Sequence, residues 1–335
     1  MITSSDLLHL PYTQDLTEGG IAYALHSLSY SYHRRGGSTY DGLRRAVAGA
    51  AVQLAFRRYL SEQNIPFEVK GALPFTEPDR YDVLLGRRRC EIKAFLISHR
   101  DQITQIKHNP QVILGAPALV ASDQHAGDGH SFHDLYLFAF LSGLIAGSQN
   151  ELQRLIQAKQ PHYLVHVMPE AWRCPRKWHP LGRLALKSES EKTQLVEIGG
   201  QGEGREVRSY MVELPPRTRV EVQNEFFSLA YVHIKSNPAA RIGIYSPVHK
   251  DLYLIGAQDW GNIWVYGIDV VLTGYIAREE FGRRASFIQP GSRVFQYDTT
   301  QVKNLAVPVS DLKPLSELFE RVKIESSQMT TRNYG

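Results

Sequence analysis

Cysteine and long apolar runs are both scarce in this chain. Among its 335 residues are only two cysteines, Cys90 and Cys174, too few for the disulfide framework of many small secreted proteins. The most apolar run, residues 135–147, is too short for a transmembrane helix and is typical of buried core. Residues 1–16 lack the basic region and apolar stretch of a secretory signal. We therefore predict a cytoplasmic protein with no membrane partner.

A strong excess of one charge is also missing. The sequence has 38 Lys and Arg against 34 Asp and Glu, a formal net charge of +4, which does not by itself indicate nucleic-acid binding. Basic residues nevertheless occur in clusters, some with Tyr or Trp nearby. Such clusters can bind phosphates while aromatic rings stack on bases. Paired arginines are, however, equally common on ordinary solvated helices and turns.

Length and patterning predict the fold class. A chain of 335 residues exceeds what one hydrophobic core usually organises, which favours two domains, with one elaborated domain as the alternative. Its composition, 43% hydrophobic and 21% charged, is typical of a globular protein. Helical spacing, then a hairpin, then alternating strands and helices predict an α/β domain with a mixed central sheet flanked by helices. Short strands separated by Pro, Gly, Asn and Asp predict a second, β-rich domain. The predicted units are an N-terminal extension (1–38), the α/β core (39–172) and the β-rich C-terminal domain (173–335).

A β-hairpin predicted between residues 81 and 97 carries the most informative motif. Residues 81–85 form a short apolar run that includes Asp82, a glycine and polar residues form the turn, and residues 90–97 resume as a strand. Because side chains alternate along a strand, Glu91 and Lys93 lie on one face. Pairing through the turn brings Asp82 to that face. The sequence thus predicts two carboxylates and one ammonium group close together; an ordinary solvated hairpin face is the alternative.

In Asp82, in Glu91-Ile92-Lys93 and in the spacing between them, the chain resembles the PD-(D/E)XK nuclease superfamily, which has the restriction-endonuclease-like fold. The resemblance covers about residues 40–145 and implies that Asp82, Glu91 and Lys93 are catalytic, with Asp79 as the alternative to Asp82. It implies Mg²⁺-dependent hydrolysis of DNA phosphodiester bonds, with Mn²⁺ as a possible substitute. The implied settings are host defence or restriction, and otherwise DNA repair.

The helix before the hairpin departs from the family pattern, which often has a further acidic residue there. The best-matching position is Gln53, whose amide oxygen can bind a cation or its water but brings no charge, so weaker cation binding is expected. In the implied mechanism Asp82, Glu91 and Gln53 hold Mg²⁺, which polarises the phosphate and lowers the pKa of the attacking water. Lys93 orients that water or stabilises charge on the phosphate.

DNA is the predicted partner. The β-rich domain is predicted to recognise substrate, a partner protein or a second copy of the chain. Arginines from the basic clusters, and a glutamine from the helix predicted after the hairpin, are the predicted phosphate-binding side chains. They are Arg34, Arg35, Arg57, Arg87, Arg88 and Gln102.

Two other segments contain residues with binding chemistry. The histidines and carboxylates of residues 123–134, including His125, Asp128, His130 and Asp134, could bind a transition metal, although a Gly-rich segment of this kind is usually a polar connection. The stretch IGGQGEG at 198–204 lacks the Lys and Ser/Thr of a phosphate-binding loop and opens into a strand, so it predicts a hairpin or linker.

Two alternatives to an active nuclease stay open. The chain could have a nuclease fold without catalysis and serve as a DNA-binding or assembly subunit, with Gln53 as the first sign of lost chemistry. The grouping of Asp82, Glu91 and Lys93 could also be accidental in an enzyme that does not act on nucleic acid.

Overall fold

The computed structural model describes residues 1–29, 38–69, 82–127, 131, 133–236, 240–249 and 252–332. The α-helices of these residues are α1 (Gln14–Ser27), α2 (Thr39–Glu62), α3 (Arg100–His108), α4 (Ser122–Ala126), α5 (Gln149–Gln157), α6 (Glu170–Arg173), α7 (Arg278–Arg284) and α8 (Leu315–Arg332). Short 3-10 helices occupy Ser4–Asp6, Pro110–Ile113 and Val309–Asp311.

The strands are β1 (Leu8–Pro11), β2 (Val83–Leu85), β3 (Arg88–Ile97), β4 (Pro117–Ala121), β5 (Leu135–Ile145), β6 (Leu164–Val167), β7 (Ala185–Ser188), β8 (Gln194–Gln201), β9 (Val207–Leu214), β10 (Arg219–Glu221), β11 (Ser228–Ile234), β12 (Ile242–Tyr245), β13 (Leu252–Ile255), β14 (Gly261–Asn262), β15 (Val265–Ala277), β16 (Ser286–Ile288) and β17 (Asn304–Pro308).

Five strands form a mixed central sheet in the order β1-β15-β5-β3-β2. β3 and β5 run parallel, with Cys90 opposite Leu135 and Ile97 opposite Ser142, and the other pairs are antiparallel. The first nine residues of β5 are all buried, because both faces of this strand are covered, as its continuous apolar sequence predicts. The predicted mixed α/β architecture is confirmed.

The central sheet takes strands from both ends of the chain. β1 belongs to the predicted N-terminal extension and β15 to the predicted C-terminal domain, yet β15 pairs with both β1 and β5. The predicted boundaries after residues 38 and 172 are therefore not boundaries of this sheet. Hydrophobic patterning identifies a strand but does not specify its partner, so the sequence alone could not place β1 and β15 in this sheet.

Three antiparallel sheets complete the fold, with the orders β14-β6-β11-β8-β9, β10-β7-β12-β13 and β16-β17-β4. Most of their strands lie beyond residue 172, where the sequence predicted β structure. β8 and β9 pair directly, so the IGGQGEG stretch belongs to a hairpin, as predicted. Among the described residues, the helices are all too short or too polar to cross a membrane.

Three hydrophobic cores hold these layers together. Helices α1, α2 and α8 cover one face of the central sheet, and the three-stranded sheet with α7 covers the other. A third core lies between the two remaining sheets. Each core is represented by a fully buried pair: Phe56 and Leu137, Phe138 and Phe281, and Ile198 and Trp260.

Helix α2 forms a wall of the site described below. It begins at Thr39, and Asp41 lies inside the first turn, where a carboxylate interacts favourably with the helix N-terminus. Val47, Ala51 and Ala55 are among its buried residues, and the four-residue spacing places them on one side of the helix. The helix ends at Glu62, shortly before Asn64 adopts a positive φ.

Candidate functional site

The hairpin of β2 and β3 sets the geometry of the site. Both residues of its turn, Gly86 and Arg87, have positive φ, as in the type I′ turns whose twist matches that of paired strands. Val83 lies opposite Cys90, and the N–H of Asp82 donates to the Cys90 carbonyl at 2.9 Å. This register places Asp82 across from Glu91 on the same face of the sheet. The predicted hairpin is confirmed.

The Asp82 carboxylate binds groups from two elements. Oδ2 accepts the backbone N–H of Ile92 at 2.5 Å, and Oδ1 accepts Nε2 of Gln53, on α2, at 2.7 Å. Burial raises the pKa of Asp82 to about 7 against the effect of the Ile92 hydrogen bond, and the charge of Glu91 raises it further. Asp82 is therefore divided between its neutral and charged forms near neutral pH, and a cation beside it would favour the charged form.

Glu91 and Lys93 lie on one face of β3, as predicted, and form an ion pair in which the Lys93 side chain is only 11% exposed. The Lys93 ammonium group also donates to Oε1 of Gln124 at 3.1 Å and lies 5.6 Å from the centre of the Tyr136 ring. An ammonium group is attracted to the face of an aromatic ring. Three neighbours thus fix the position of this charge.

These side chains line a cleft of about 470 Å³. The cleft is built from α2, from the middle of β3, from β4 with the start of α4, and from the segment that leads into β17. Its polar lining residues are Tyr23, Asp41, Arg45, Gln53, Asp82, Glu91, Lys93, Gln124, Tyr297, Thr299, Thr300, Gln301 and Asn304. The structure therefore brings together all four residues that the sequence predicted for catalysis and metal binding.

The donor atoms of this cluster suit a hard cation. In the parts of the chain that the structure describes, His, Cys, Asp and Glu form no group of three or more that could hold a metal ion. Mg²⁺, however, usually binds proteins through one or two carboxylates and completes its shell with waters and substrate phosphates. Asp82 and Glu91 supply that number of carboxylates, so the residues present fit Mg²⁺ without a third acidic side chain.

Gln53 contacts Asp82 through its amide nitrogen. The sequence had instead predicted that the carbonyl oxygen of Gln53 binds the metal. The physical reason is that a carboxylate only accepts hydrogen bonds when charged, so the donor end of the amide faces it. The oxygen and nitrogen of an amide exchange places by a flip of the group. A cation between the two side chains would favour the flipped form, with the oxygen toward the cation.

The arginines predicted to bind nucleic acid are not gathered at the cleft. Arg34 and Arg35 lie outside the described residues, as does Asp79. Arg87 lies in the hairpin turn. Nη2 of Arg57 donates to the backbone carbonyl of Asp82 at 3.0 Å, so it ties α2 to the start of the hairpin; neither Arg57 nor Arg87 lines the cleft.

The other two predicted phosphate-binding residues have partners within the chain. Arg88 binds Glu325 of α8 through two hydrogen bonds of 2.7 and 3.0 Å, and Glu325 raises the pKa of the guanidinium group. Nε2 of Gln102 donates to the Phe295 carbonyl at 2.6 Å. Because these contacts connect elements that are distant in sequence, Arg88 and Gln102 have structural roles.

The histidine-containing segment after β4 does not form a metal site within the described residues. Asp128 and His130 lie outside those residues. Nδ1 of His125 lies 3.2 Å from the Tyr136 hydroxyl, and the Asp134 carboxylate accepts a backbone N–H three residues before it at 2.7 Å. Each side chain is therefore used in a separate local contact.

Gln124 and Tyr136, the two neighbours of Lys93 beyond Glu91, could not be identified from the sequence. Tyr136 lies opposite Glu91 across the parallel β3–β5 pair, which the sequence could not pair. Gln124 follows β4, a strand that belongs to a different sheet. Neither residue belongs to a motif, so a three-dimensional structure is needed to find them.

No protein-family model, curated protein or solved structure matches this chain. The chemistry of the cleft is therefore the basis for inferring its function.

Proposed function

We propose that the protein is a metal-dependent nuclease of the PD-(D/E)XK type that hydrolyses phosphodiester bonds of DNA. The observation that carries the proposal is the convergence of Asp82, Glu91 and a fixed Lys93 ammonium group in one cleft. The mixed sheet with a parallel β3–β5 pair, and α2 beside the hairpin, supports a restriction-endonuclease-like core. Host defence or restriction, and otherwise DNA repair, in the cytoplasm, are the proposed settings.

Each residue has a distinct task in this proposal. Asp82 and Glu91 would hold Mg²⁺, or Mn²⁺ in its place, and the cation supplies an activated water and neutralises phosphate charge. Lys93 donates a hydrogen bond to the phosphate oxygen that gains charge, or orients the attacking water. Gln124 and Glu91 position the Lys93 ammonium group before substrate arrives, so little reorganisation is needed during the reaction.

A second function is favoured by Gln53. The helix position that is often acidic in the family has an uncharged amide here, which lies beside Asp82. A nuclease fold that has lost catalysis and acts as a DNA-binding or assembly subunit would have these features.

Cleavage and binding assays separate the two functions. Plasmid and linear DNA are incubated with the protein in Mg²⁺, Mn²⁺ or EDTA, and binding is measured by gel shift in Ca²⁺, which usually supports binding without turnover. Cleavage that requires Mg²⁺ or Mn²⁺ and is absent in Asp82→Asn supports the nuclease. Binding without cleavage in any metal supports the second function, and the absence of both contradicts both.

A further inference from the structure

The cleft continues along α2 beyond Gln53. Asp41, Arg45, Gly49 and Gln53 all line it, and a spacing of four residues places neighbouring members on the same side of a helix. At a rise of 1.5 Å per residue, Arg45 lies roughly 12 Å from Gln53 along the helix axis. The helix therefore extends the cleft well away from Asp82 and Glu91.

Arg45 is available to a ligand, whereas its neighbour Arg44 is not. Arg44 is buried and donates to the carbonyls of Asn262 and Ala146 at 2.9 Å and to Asp41 at 2.8 Å. Arg45 is exposed and makes no hydrogen bond or ion pair with any part of the chain that the structure describes. A guanidinium group presents five donors in a planar fork that matches a phosphate. The geometry of α2 thus directs one uncommitted arginine into the cleft.

Gly49 is a second feature of the cleft wall on α2, independent of Arg45. Glycine in a helix interior destabilises the helix relative to alanine, and a Cβ at Gly49 would meet no atom within 4 Å. Packing within the chain therefore does not require glycine at this position. The space beside Gly49 belongs to the cleft, where a close-lying ligand backbone would use it.

We propose, on the basis of the proposed nuclease function, that a strand of the substrate lies along α2, passes over Gly49 and places a phosphate at Arg45. The roughly 12 Å from Gln53 to Arg45 along the helix axis exceeds the spacing of adjacent phosphates on one strand. Arg45 thus binds a phosphate away from the reacting one and sets the register of cleavage.

Gly42 offers a matched control for Gly49. Both glycines lie in α2 and have open space at the Cβ position, but Gly42 does not line the cleft. We expect Gly42→Ala and Gly49→Ala both to raise or preserve the melting temperature. Only Gly49→Ala should weaken binding of a fluorescein-labelled DNA duplex in Ca²⁺, by about tenfold, which is typical of one methyl group in a binding site. Equal affinity of the two variants would overturn the role of Gly49.

Arg45→Ala tests the phosphate contact through its salt dependence. Loss of one phosphate contact lowers the slope of log K against log salt concentration by about 0.9 for duplex DNA. Arg58→Ala is the control, because Arg58 lies on the same helix but pairs with Asp15 outside the cleft, and it should leave the slope unchanged. An unchanged slope in Arg45→Ala, with normal wild-type binding and cleavage, overturns the inference alone. Wild-type protein that neither binds nor cleaves DNA overturns the proposed function and the inference with it.

Discussion

Two sheets of this protein each hold a carboxylate among polar side chains, and they use it differently. On β8, Glu197 accepts the hydroxyl of Tyr231 at 3.1 Å and that of Tyr163 at 3.5 Å. Tyr163 stacks on His233, with ring centres 3.7 Å apart. In the β2–β3 hairpin, Asp82 and Glu91 face the 470 Å³ cleft, which Glu197 does not line.

The two clusters differ in whether the groups of the chain satisfy the carboxylate. Burial raises the pKa of Tyr163 and of Tyr231, so their hydroxyls stay protonated and keep donating to Glu197. A buried polar network whose members satisfy each other stabilises a fold. Asp82, by contrast, has a pKa of about 7 in a site open to a ligand, and strongly shifted carboxylates in clefts are typical of functional sites. We therefore expect the hairpin cluster to bind a ligand.

The largest effect is expected at Lys93. Lys93→Ala should lower the single-turnover rate of DNA cleavage by about 100-fold or more, because charge on the phosphate loses its nearest ammonium group. DNA affinity measured by anisotropy in Ca²⁺ should fall much less than the cleavage rate, since Lys93 acts mainly on charge that develops in the transition state. Glu197→Gln, in the completed cluster, is the control and should cleave at the wild-type rate. Wild-type cleavage by Lys93→Ala would remove Lys93 from the mechanism.

Glu197→Ala should have the converse effect. Removal of the carboxylate leaves the hydroxyls of Tyr163 and Tyr231 without their acceptor, so the free energy of unfolding should fall by about 2 kcal/mol, as measured by urea denaturation. Cleavage below the unfolding transition should be unchanged. If Glu197→Ala instead abolishes cleavage without loss of stability, the two clusters have been assigned the wrong roles.

Metal binding should depend on pH through Asp82. With a pKa of about 7, Asp82 is about one-tenth ionised at pH 6 and nine-tenths at pH 8, so Mg²⁺ or Mn²⁺ affinity should rise about tenfold over this interval. Isothermal titration calorimetry at several pH values measures this rise. Asp82→Asn should weaken binding and flatten its pH dependence; a wild-type affinity that is independent of pH would contradict the prediction.

Protonation of Asp82 also makes the stability of the metal-free protein depend on pH. The folded protein holds the Asp82 proton more tightly than the unfolded chain, whose aspartate has a pKa near 3.8. This stabilising contribution is therefore complete below about pH 4 and is lost as the pH rises through about 7. Added Mg²⁺ should restore stability most strongly at the upper end of this range.

The hairpin and α2 could be predicted from sequence because their signals are local. The Gly86 turn and the alternation of Glu91, Ile92 and Lys93 determine which side chains share a face. The predicted position of these side chains on one face agrees with the structure. The helical spacing of apolar residues before the hairpin likewise identified the helix that carries Gln53. Local rules of turn geometry and periodicity suffice for contacts between adjacent elements.

Contacts between distant elements could not be predicted in this way. β15 joins the central sheet from residues 265–277, and Gln124 reaches Lys93 from α4, which follows a strand of another sheet. The packing of whole layers brings these elements together. Gly20 on α1 illustrates the same point: a Cβ there would lie 2.4 Å from the Val47 carbonyl oxygen of α2. The sequence shows only the glycine at this close approach and does not identify Val47 as its neighbour.

The smallest effect is expected at Gln53. Its substitution tests whether α2 contributes a ligand to the cation site of Asp82 and Glu91. Gln53→Glu should tighten Mg²⁺ binding several-fold, because a charged oxygen ligand replaces an amide that now donates to Asp82. Gln53→Ala should weaken it. Gln63→Glu makes the same chemical change just after α2 but outside the cleft, so calorimetry on this control isolates the local effect from added negative charge. If Gln53→Glu and Gln63→Glu shift Mg²⁺ affinity equally, Gln53 is not next to the cation, and Asp82 and Glu91 bind it without help from α2.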